Sequence, residues 1–270
     1  VLVLLNNDAI AEPGFLEAIV APLSEPPAAP SAPSTSAQRT SPRATPGSAP
    51  AAATARILLA GRWKPAVPGQ DALVSPHTGR WTRISNEAAA RGEGEVLVNS
   101  TGNLVDASGN GYDRDWLVPA EREHSPSQVF GLCGGACAIR REAWRTLGGF
   151  REDLFMYYED TDLSWRLREH GWRVVYVREA VVRHEHASSA GTDSPMFIRV
   201  NTRNRILVAA AHSPARVVLQ ALARTLVRGL CGPRRGPVMT GLAQAVAGLP
   251  SELWRRSGAP SRRPKPSRRR

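Results

Sequence analysis

The sequence predicts a mixed α/β domain with a mainly parallel sheet and flanking helices, followed by a helical C-terminal region. Residues 1–5 form an unbroken apolar run, which is typical of a strand covered on both faces. Between residues 55 and 194, segments with the pattern of short strands alternate with helical segments, as in a sheet flanked by helices. From residue 195 to about residue 254, apolar residues recur at helical spacing, with breaks at Pro214 and between residues 229 and 237.

Amino-acid composition distinguishes this α/β part from one insertion and from the C-terminal tail. Residues 24–54 are mostly Pro, Ala, Ser and Thr and include no aromatic residue. Such a segment buries too little apolar surface to offset the entropy of ordering, so we expect a disordered insertion. Residues 1–23 and 55–194 then form the α/β part, residues 195–255 the C-terminal helices, and residues 256–270 a disordered basic tail.

The positive charge of the chain is concentrated at its end. The formal net charge is +11, and residues 251–270 hold eight basic residues against one acidic residue. The body has no basic patch interleaved with aromatic residues, so the sequence does not indicate a nucleic-acid-binding protein. Three cysteines are too few for a disulfide framework, which favours a reducing compartment. No run of 18 apolar residues predicts a transmembrane helix.

The first residues of the sequence have the apolar pattern of a strand in the interior of a domain. The chain opens with Val1, and its first five residues already resemble a buried strand. Because a chain seldom starts inside a central strand, we expect the first strands of the fold to lie upstream in a longer protein.

A carboxylate with two amide neighbours, Asn6-Asn7-Asp8, follows this first strand. Ligands of open α/β sheets gather beyond the carboxyl ends of strands, and hard divalent cations prefer oxygen ligands. The same residue types also form Asx turns and cap helices. The segment alone therefore leaves a metal ligand and a simple turn as alternatives.

Three carboxylates lie within four residues in Glu159-Asp160-Thr161-Asp162. Acidic residues in the first turn of a helix complement its dipole, and that role involves no catalysis. Carboxylates this close also repel one another, and one of them is suited to act as a general base toward an alcohol. Both interpretations remain open on these residues alone.

Two histidines, His184 and His186, follow a predicted strand. Alternate residues of an extended segment lie on the same face and neighbours on opposite faces, so the surroundings of the strand decide which histidine reaches a site. A single histidine is more often structural than a ligand. His184 becomes a metal-ligand candidate because Asp8 is predicted at the end of a neighbouring strand.

The order of the motifs is more informative than any one of them. Asn-Asn-Asp-Ala (6–9) is followed by Cys-Gly-Gly-Ala-Cys-Ala-Ile-Arg-Arg-Glu-Ala-Trp (133–144), Leu-Gly-Gly-Phe (147–150) and Phe-Met-Tyr-Tyr-Glu-Asp-Thr-Asp-Leu-Ser-Trp-Arg-Leu (155–167). Gly-Trp-Arg-Val-Val-Tyr-Val (171–177), Val-Val-Arg-His (181–184) and Arg-Asn-Arg (203–205) come next. Together they resemble the family-2 glycosyltransferases, specifically the bacterial rhamnosyltransferase-like group, over residues 1–20 and about 55–215.

This resemblance implies a GT-A-type, Rossmann-like fold that lacks its first strands here. Residues 1–23 would be the end of the nucleotide-binding half and residues 55–194 the catalytic and acceptor half. The implied activity is an inverting, metal-dependent transfer of a sugar from a UDP- or dTDP-linked donor to a glycan or polyprenyl-linked acceptor, in cell-envelope polysaccharide synthesis. The implied location is the cytoplasm, at the inner face of the plasma membrane. The alternative is an incomplete glycosyltransferase-like fragment that acts as a binding domain.

The resemblance also implies roles for individual residues. Asp8 would hold Mg²⁺ or Mn²⁺, with His184 as a further ligand and His186 as its alternative. Asp160 would be the general base, with Glu159 beside it. The residues expected to contact donor or acceptor are Asn6, Asn7, Gly134, Gly135, Asp162, Arg203 and Asn204. Arg151 departs from the family pattern, because many relatives have Asp after Gly-Gly-Phe.

The C-terminal region suggests contact with a membrane surface. Residues 214–230 place apolar side chains at helical spacing with Arg216, Arg224 and Arg228 among them, and a basic amphipathic helix favours anionic headgroups. The apolar positions are Val217, Val218, Ala221, Leu222 and Leu226. The alternative is that this helix packs on the catalytic domain.

Overall fold

The structure, a computed structural model, describes residues 1–24, 50–185 and 194–256. The strands are β1 Leu2–Leu5, β2 Ala9–Ala11, β3 Pro50–Leu59, β4 Trp63–Pro65, β5 Leu73–Ser75, β6 Gly79–Arg83, β7 Val98–Ser100, β8 Asn103–Val105, β9 Gly111–Asp113, β10 Gln128–Val129, β11 Ala136–Ile139 and β12 Arg173–His184. The α-helices are α1 Phe15–Val20, α2 Asn86–Ala90, α3 Arg141–Leu147, α4 Glu159–Glu169, α5 Pro195–His212, α6 Ala215–Cys231 and α7 Arg235–Arg256. Short 3₁₀ helices cover Ala21–Leu23, Ala120–Arg122 and Glu152–Leu154.

The central sheet has the order β1-β11-β3-β12-β10, with β2 paired to β12 and β7 paired to β3. The predicted mixed α/β class is confirmed. Among the described strands β3 and β12 form the parallel pair, and the other pairs of this sheet are antiparallel, whereas the sequence predicted a mainly parallel sheet. The difference arises because β11, distant along the chain, inserts between β1 and β3. Alternation of strands and helices along a sequence does not specify which strands become neighbours.

The insertion of β11 has a second consequence for the direction of the strands. Both β1 and β3 run antiparallel to β11, and β12 runs parallel to β3. The strands β1, β3 and β12 therefore point the same way, and their carboxyl ends lie at one edge of the sheet. Since β11 runs in the opposite direction, its first residue, Ala136, lies at that same edge.

The strand β3 begins at Pro50, five residues earlier than the sequence analysis predicted. Residues 51–55 are almost fully buried, so the last part of the predicted insertion 24–54 belongs to the core. An alanine-rich run resembles a linker in composition, yet small side chains fit a central strand that is covered on both faces. Residues 25–49 lie outside the described part of the chain.

Helices cover both faces of the sheet, as the sequence predicted. Alternate residues of β11 point to opposite faces, with Cys137 and Ile139 in one apolar cluster and Ala136 and Ala138 in another. The first cluster includes Ala143 of α3 with Leu163 and Leu167 of α4, and the second includes Phe15 and Ile19 of α1. The helix α4 begins at Glu159, so the acidic run Glu159–Asp162 lies in its first turn, one of the two placements that the sequence left open.

The chain divides into two compact units, one of Val1–Asp106 with Asn110–Thr192 and one of Ala107–Gly109 with Asp193–Arg270. In the second, α5, α6 and α7 share a core of Ile206, Ala221, Leu242 and Ala245. The predicted helix break at Pro214 separates α5 from α6, and a second break precedes Arg235. Among the described residues, no helix combines the length and apolarity that a membrane crossing requires.

Candidate active site

An aspartate–histidine pair lies at the edge where β1, β3 and β12 end. Asp8 lies in the turn after β1, and His184 is the last residue of β12. His184 Nε2 is 3.0 Å from Asp8 Oδ1 and 3.4 Å from Asn6 Nδ2. The pairing of His184 with Leu59 of β3 and Ala9 of β2 fixes its position. The structure thus brings together the two residues that the sequence analysis predicted as metal ligands.

A third residue, Asn99 of β7, orients the imidazole of His184. Asn99 is only 5% exposed, and its Oδ1 is 2.8 Å from His184 Nδ1. An amide oxygen only accepts hydrogen bonds, so Nδ1 carries the proton and Nε2 is directed at Asp8. Metal-binding histidines are commonly oriented by such a carbonyl oxygen on the other ring nitrogen. Asn99 belongs to none of the predicted site motifs, although an amide directly after the apolar run Val96–Val98 is a signal for such a position.

The donor atoms of this pair suit a divalent cation that keeps other ligands. One carboxylate and one imidazole occupy part of a coordination shell, and Mg²⁺ or Mn²⁺ typically completes it with phosphate oxygens and water. In the described ranges, no group of three or more His, Cys, Asp or Glu residues could hold a metal ion by itself. The residues therefore fit a cation that a phosphate-bearing ligand would share, and do not form a closed structural site.

A partly buried carboxylate, Asp160, lies in the first turn of α4. Its Oδ2 accepts a hydrogen bond from Gly134 N at 3.0 Å, and its Oδ1 accepts one from Thr161 N at 2.6 Å. Burial raises the pKa of Asp160 above its ordinary value, and the hydrogen bonds from Gly134 and Thr161 oppose that shift. A carboxylate with a raised pKa binds a proton more strongly than an ordinary one, which suits a general base.

Glu159 lies beside this carboxylate, and its surroundings also disfavour the charged form. Burial, and then the charge of Asp160, raises the pKa of Glu159 to about 7. Its buried Oε2 has no hydrogen-bond partner among the described residues. Glu159 therefore carries less than its full negative charge near neutral pH.

The loop that leads into α4 has a strained backbone. Phe155 has φ 67° and ψ −64°, which is a γ-turn, and Met156 N donates to the carbonyl oxygen of Leu154 at 2.8 Å. Tyr157 and Tyr158 also have positive φ angles. Strain of this kind persists only where the surrounding structure enforces it, and it concentrates at functional sites.

Gly134 and Gly135 connect the two parts of the site. The N–H of Gly134 binds Asp160, and the carbonyl oxygen of Gly135 accepts a hydrogen bond from Asn6 N at 2.9 Å. The N–H of the preceding Cys133 donates to Thr54 Oγ1 of β3. The turn before β11 therefore holds the segment with the predicted metal ligand on one side and the predicted base on the other.

Asp113 of β9 is a third carboxyl that the sequence analysis did not identify. The side chains of Ser100 and Cys133 hydrogen-bond to it, and burial, and then the charge of Asp160, raises its pKa to about 6. The hairpin of β8 and β9 packs tightly on α4, since a methyl group on Gly111 would lie 2.8 Å from Thr161 Oγ1. Asp113 was missed because it lies in a turn-rich segment and belongs to no recognisable motif.

Asp162, for which the sequence predicted contact with donor or acceptor, lies in a buried ion cluster, and its role in binding stays a prediction. Its side chain is 1% exposed and accepts hydrogen bonds from Arg166 Nε at 2.7 Å and Arg151 Nη1 at 3.3 Å. A buried carboxylate that pairs with two guanidinium groups offsets one of their two positive charges and anchors α4. The same contact explains Arg151, the residue that departs from the family pattern, because it supplies one of the two positive charges.

The remaining residues that the sequence predicted to contact donor or acceptor make none of the contacts described above. Asn7 is exposed in the turn between β1 and β2. Arg203 and Asn204 lie on α5 in the second unit, where Asn204 is fully buried and accepts a hydrogen bond from Arg203 Nε at 2.8 Å. Their roles in binding stay predictions. His186 lies outside the described residues.

An α/β sheet with an aspartate–histidine pair and a partly buried carboxylate at one strand edge is an architecture suited to group transfer from a phosphate-bearing donor. Comparison with known proteins agrees with this class. Residues 67–218, more than half of the chain, match the family described as "Glycosyltransferase like family 2", and the chain belongs to that family. The resemblance stated from the motifs is confirmed.

Two curated relatives are similar to part of the chain. They are the N-acetylglucosaminyl-diphospho-decaprenol L-rhamnosyltransferases of Mycobacterium tuberculosis strains CDC 1551 / Oshkosh and ATCC 25618 / H37Rv. Each is 39% identical over 103 residues, which is 38% of this chain and 32% of the relative. The match thus spans about a third of the length of these relatives.

The raised pKa of Glu159 predicts a stability effect that depends on pH. A carboxyl with a raised folded-state pKa holds its proton more tightly in the folded chain, so ionisation destabilises the fold as pH rises from about 4.5 to about 7. We expect Glu159→Gln to raise the free energy of unfolding by about 1–3 kcal/mol at pH 8 and to change it little at pH 4.5.

Urea denaturation at the two pH values, with EDTA present, measures this difference. Glu142→Gln on the exposed face of α3 is the matched control and should behave alike at both pH values. Equal stability of Glu159→Gln and the unchanged chain at pH 8 would contradict the prediction.

Proposed function

We propose that this chain carries the catalytic residues of an inverting glycosyltransferase that acts in cell-envelope polysaccharide synthesis. The donor is a UDP- or dTDP-linked sugar, and the acceptor is a glycan or a polyprenyl-linked saccharide. The family supports sugar transfer, and the names of the two relatives support rhamnose as the sugar and a diphospho-polyprenol as the acceptor carrier.

The observation that carries this proposal is the double contact of Gly134 and Gly135. Through these two residues, the backbone of Asn6 and the carboxylate of Asp160 are held by the same turn. A donor diphosphate bound beside Asp8 would therefore place its sugar next to the proposed base. Sugar transfer requires this proximity, because the acceptor hydroxyl must reach the anomeric carbon.

Asp160 is the proposed general base of the transfer. It removes the proton of the acceptor hydroxyl as that oxygen forms a bond to the anomeric carbon, and the bond from that carbon to the diphosphate oxygen breaks. Attack opposite to the leaving group inverts the anomeric configuration and involves no covalent enzyme intermediate. The raised pKa of Asp160 increases its proton affinity at the moment of transfer.

Asp8 and His184 are the proposed holders of a divalent cation. The hydrogen bond from His184 Nδ1 to Asn99 leaves Nε2 directed at Asp8, as a ligand pair requires. A cation bound there would neutralise the negative charge that the leaving diphosphate acquires. Asn99 keeps the ring orientation, and Asn6 lies close enough to contact the same ligand.

Replacement of the proposed base should separate chemistry from donor binding. In the complete protein, we expect Asp160→Asn to lower turnover by about 10²–10⁴-fold and to leave the affinity for the nucleotide sugar nearly unchanged. Turnover with UDP- and dTDP-linked sugars and calorimetric donor binding measure the two quantities. Asp153→Asn, an exposed carboxylate on the same approach to α4, is the control. Near-normal turnover of Asp160→Asn would exclude it as the base.

Replacement of the proposed ligands should weaken metal binding directly. We expect Asp8→Asn and His184→Ala to abolish Mn²⁺ binding in the presence of UDP or dTDP, and Asn99→Ala to weaken it by about 10–100-fold. The electron paramagnetic resonance signal of free Mn²⁺ reports binding without any need for activity. His77→Ala, an exposed histidine on the loop between β5 and β6, is the control. Unchanged Mn²⁺ affinity in His184→Ala would remove it from the site.

We also propose that α6 contacts an anionic membrane surface. Val217 and Ala221, which the sequence analysis assigned to the membrane face, are buried on the side of α6 that faces its own unit. A different face is exposed and apolar, and it is formed by Leu219, Leu226, Val227 and Leu230. These residues follow helical spacing, and Arg224 and Arg228 beside them would interact with anionic headgroups.

Vesicle sedimentation tests this contact. We expect the double variant Leu226→Glu with Val227→Glu to bind phosphatidylglycerol vesicles more weakly than the unchanged chain, because it puts two negative charges on the proposed contact face. Val74→Glu, an equally exposed apolar residue of β5, is the matched control. Vesicle binding that persists in the double variant and after deletion of residues 214–270 would contradict a role for α6.

A further inference from the structure

An arginine-lined cavity of about 610 Å³ lies in the first unit, against β3 and β12 and the segments around residues 94–96 and 119–122. Arginine is the most frequent residue among those that line it. The five arginines are Arg56, Arg62, Arg122, Arg178 and Arg183. Neither the family match nor the sequence motifs assign a function to this cavity.

The cavity is separate from the site of Asp8 and His184. Arg183 and His184 are consecutive residues of β12, so their side chains point to opposite faces of the sheet. Arg183 pairs with Leu58 of β3, which also lines the cavity. The cavity therefore lies on the face of the β3–β12 pair that is opposite to His184.

A single buried carboxylate supports two of the cavity arginines. Glu123 is 1% exposed, and its Oε2 lies 3.1 Å from Arg56 Nε and 3.6 Å from Arg178 Nη1. Glu123 also accepts hydrogen bonds from Tyr176 Oη and Ser125 N. One carboxylate that orients two guanidinium groups neutralises only one of their two positive charges.

Two further observations show that the arginines have unused binding capacity. Arg62 donates to the carbonyl oxygens of Glu93 and Gly94, each at 2.7 Å, and neutral carbonyls leave its charge in place. The Nη2 of Arg56 donates to the carbonyl oxygen of Ala120, which is also neutral, so Arg56 depends on the shared Glu123 carboxylate for its counter-charge.

The remaining charges of the cavity nearly balance one another. Arg122 pairs with Glu95 at 3.3 Å, and Arg183 pairs with Glu12 at 2.7 Å. Glu121 adds one more negative charge to the lining. The excess positive charge therefore centres on Arg56, Arg62 and Arg178, whose side chains come from three different segments of the unit.

We propose that this cavity binds a small phosphate-bearing ligand through Arg56, Arg62 and Arg178. Guanidinium groups match the geometry of phosphate oxygens and donate paired hydrogen bonds to them. The volume is within the range of small-molecule sites, about 300–1,000 Å³. The inference is independent of the proposed sugar transfer, because the ligand site is on the other face of the sheet.

Calorimetric titration of the full chain with inorganic pyrophosphate tests this proposal. EDTA in the buffer removes divalent cations, so that metal-dependent binding beside Asp8 does not contribute. We expect saturable binding that weakens at least tenfold in the double variant Arg62→Gln with Arg178→Gln. Arg141→Gln, an exposed arginine of α3 outside the cavity, and Asp8→Asn should both bind as the unchanged chain does.

Several outcomes would overturn the proposal. These are the absence of saturable binding at millimolar pyrophosphate, an equal loss in Arg141→Gln, or a loss in Asp8→Asn without one in the double variant. Circular dichroism verifies that each variant is folded. Should the double variant fail to fold, Arg178→Lys replaces it, because it keeps the charge and loses the paired donors. Unchanged pyrophosphate affinity in a folded Arg178→Lys would then count against the proposal.

A second experiment, vesicle sedimentation, distinguishes a soluble phosphate ester from a lipid headgroup as the source of the phosphate. Vesicles that contain phosphatidic acid are sedimented with the chain in the presence and absence of pyrophosphate. For a soluble ligand, the double variant binds vesicles as the unchanged chain does. For a headgroup, vesicle binding falls in the double variant and pyrophosphate competes with it.

Discussion

The direction of β11 is the constraint on which the candidate active site depends. This strand runs antiparallel between β1 and β3, so the turn that precedes it reaches the edge where β1 and β12 end. Gly134 and Gly135 form that turn, and they bind the backbone of Asn6 and the carboxylate of Asp160. A parallel β11 would place the two glycines at the opposite edge, far from Asp8.

The residues packed around the start of α4 hold three carboxyl groups in an environment that disfavours their charged forms. Glu159, Asp160 and Asp113 all have raised pKa values, and burial is the largest cause for each. The ion pairs of Asp162 with Arg151 and Arg166 anchor the same helix. Stable packing around a few strained and poorly solvated groups is the usual way in which proteins maintain reactive carboxylates.

The two faces of the β3–β12 pair have different chemistry. One carries His184 with Asp8 and Asn99, an arrangement of mixed oxygen and nitrogen donors. The other carries guanidinium groups around the buried carboxylate of Glu123. Because neighbouring residues of a strand point to opposite faces, a single strand can serve a cation-binding and an anion-binding environment without mixing their charges.

The sequence by itself determined the class of the fold, the start of α4 at its acidic run and the family, because apolar periodicity and the order of motifs are local properties of the chain. It also predicted site roles for Asp8, His184 and Asp160, which stand within such motifs. Only the tertiary structure decided the antiparallel neighbours of β11, the burial of residues 51–54 and the ion pairs of Asp162. It also revealed Asn99 and Asp113. Each of these depends on which distant segments meet, and contacts between distant segments leave no periodicity or spacing that a single sequence displays.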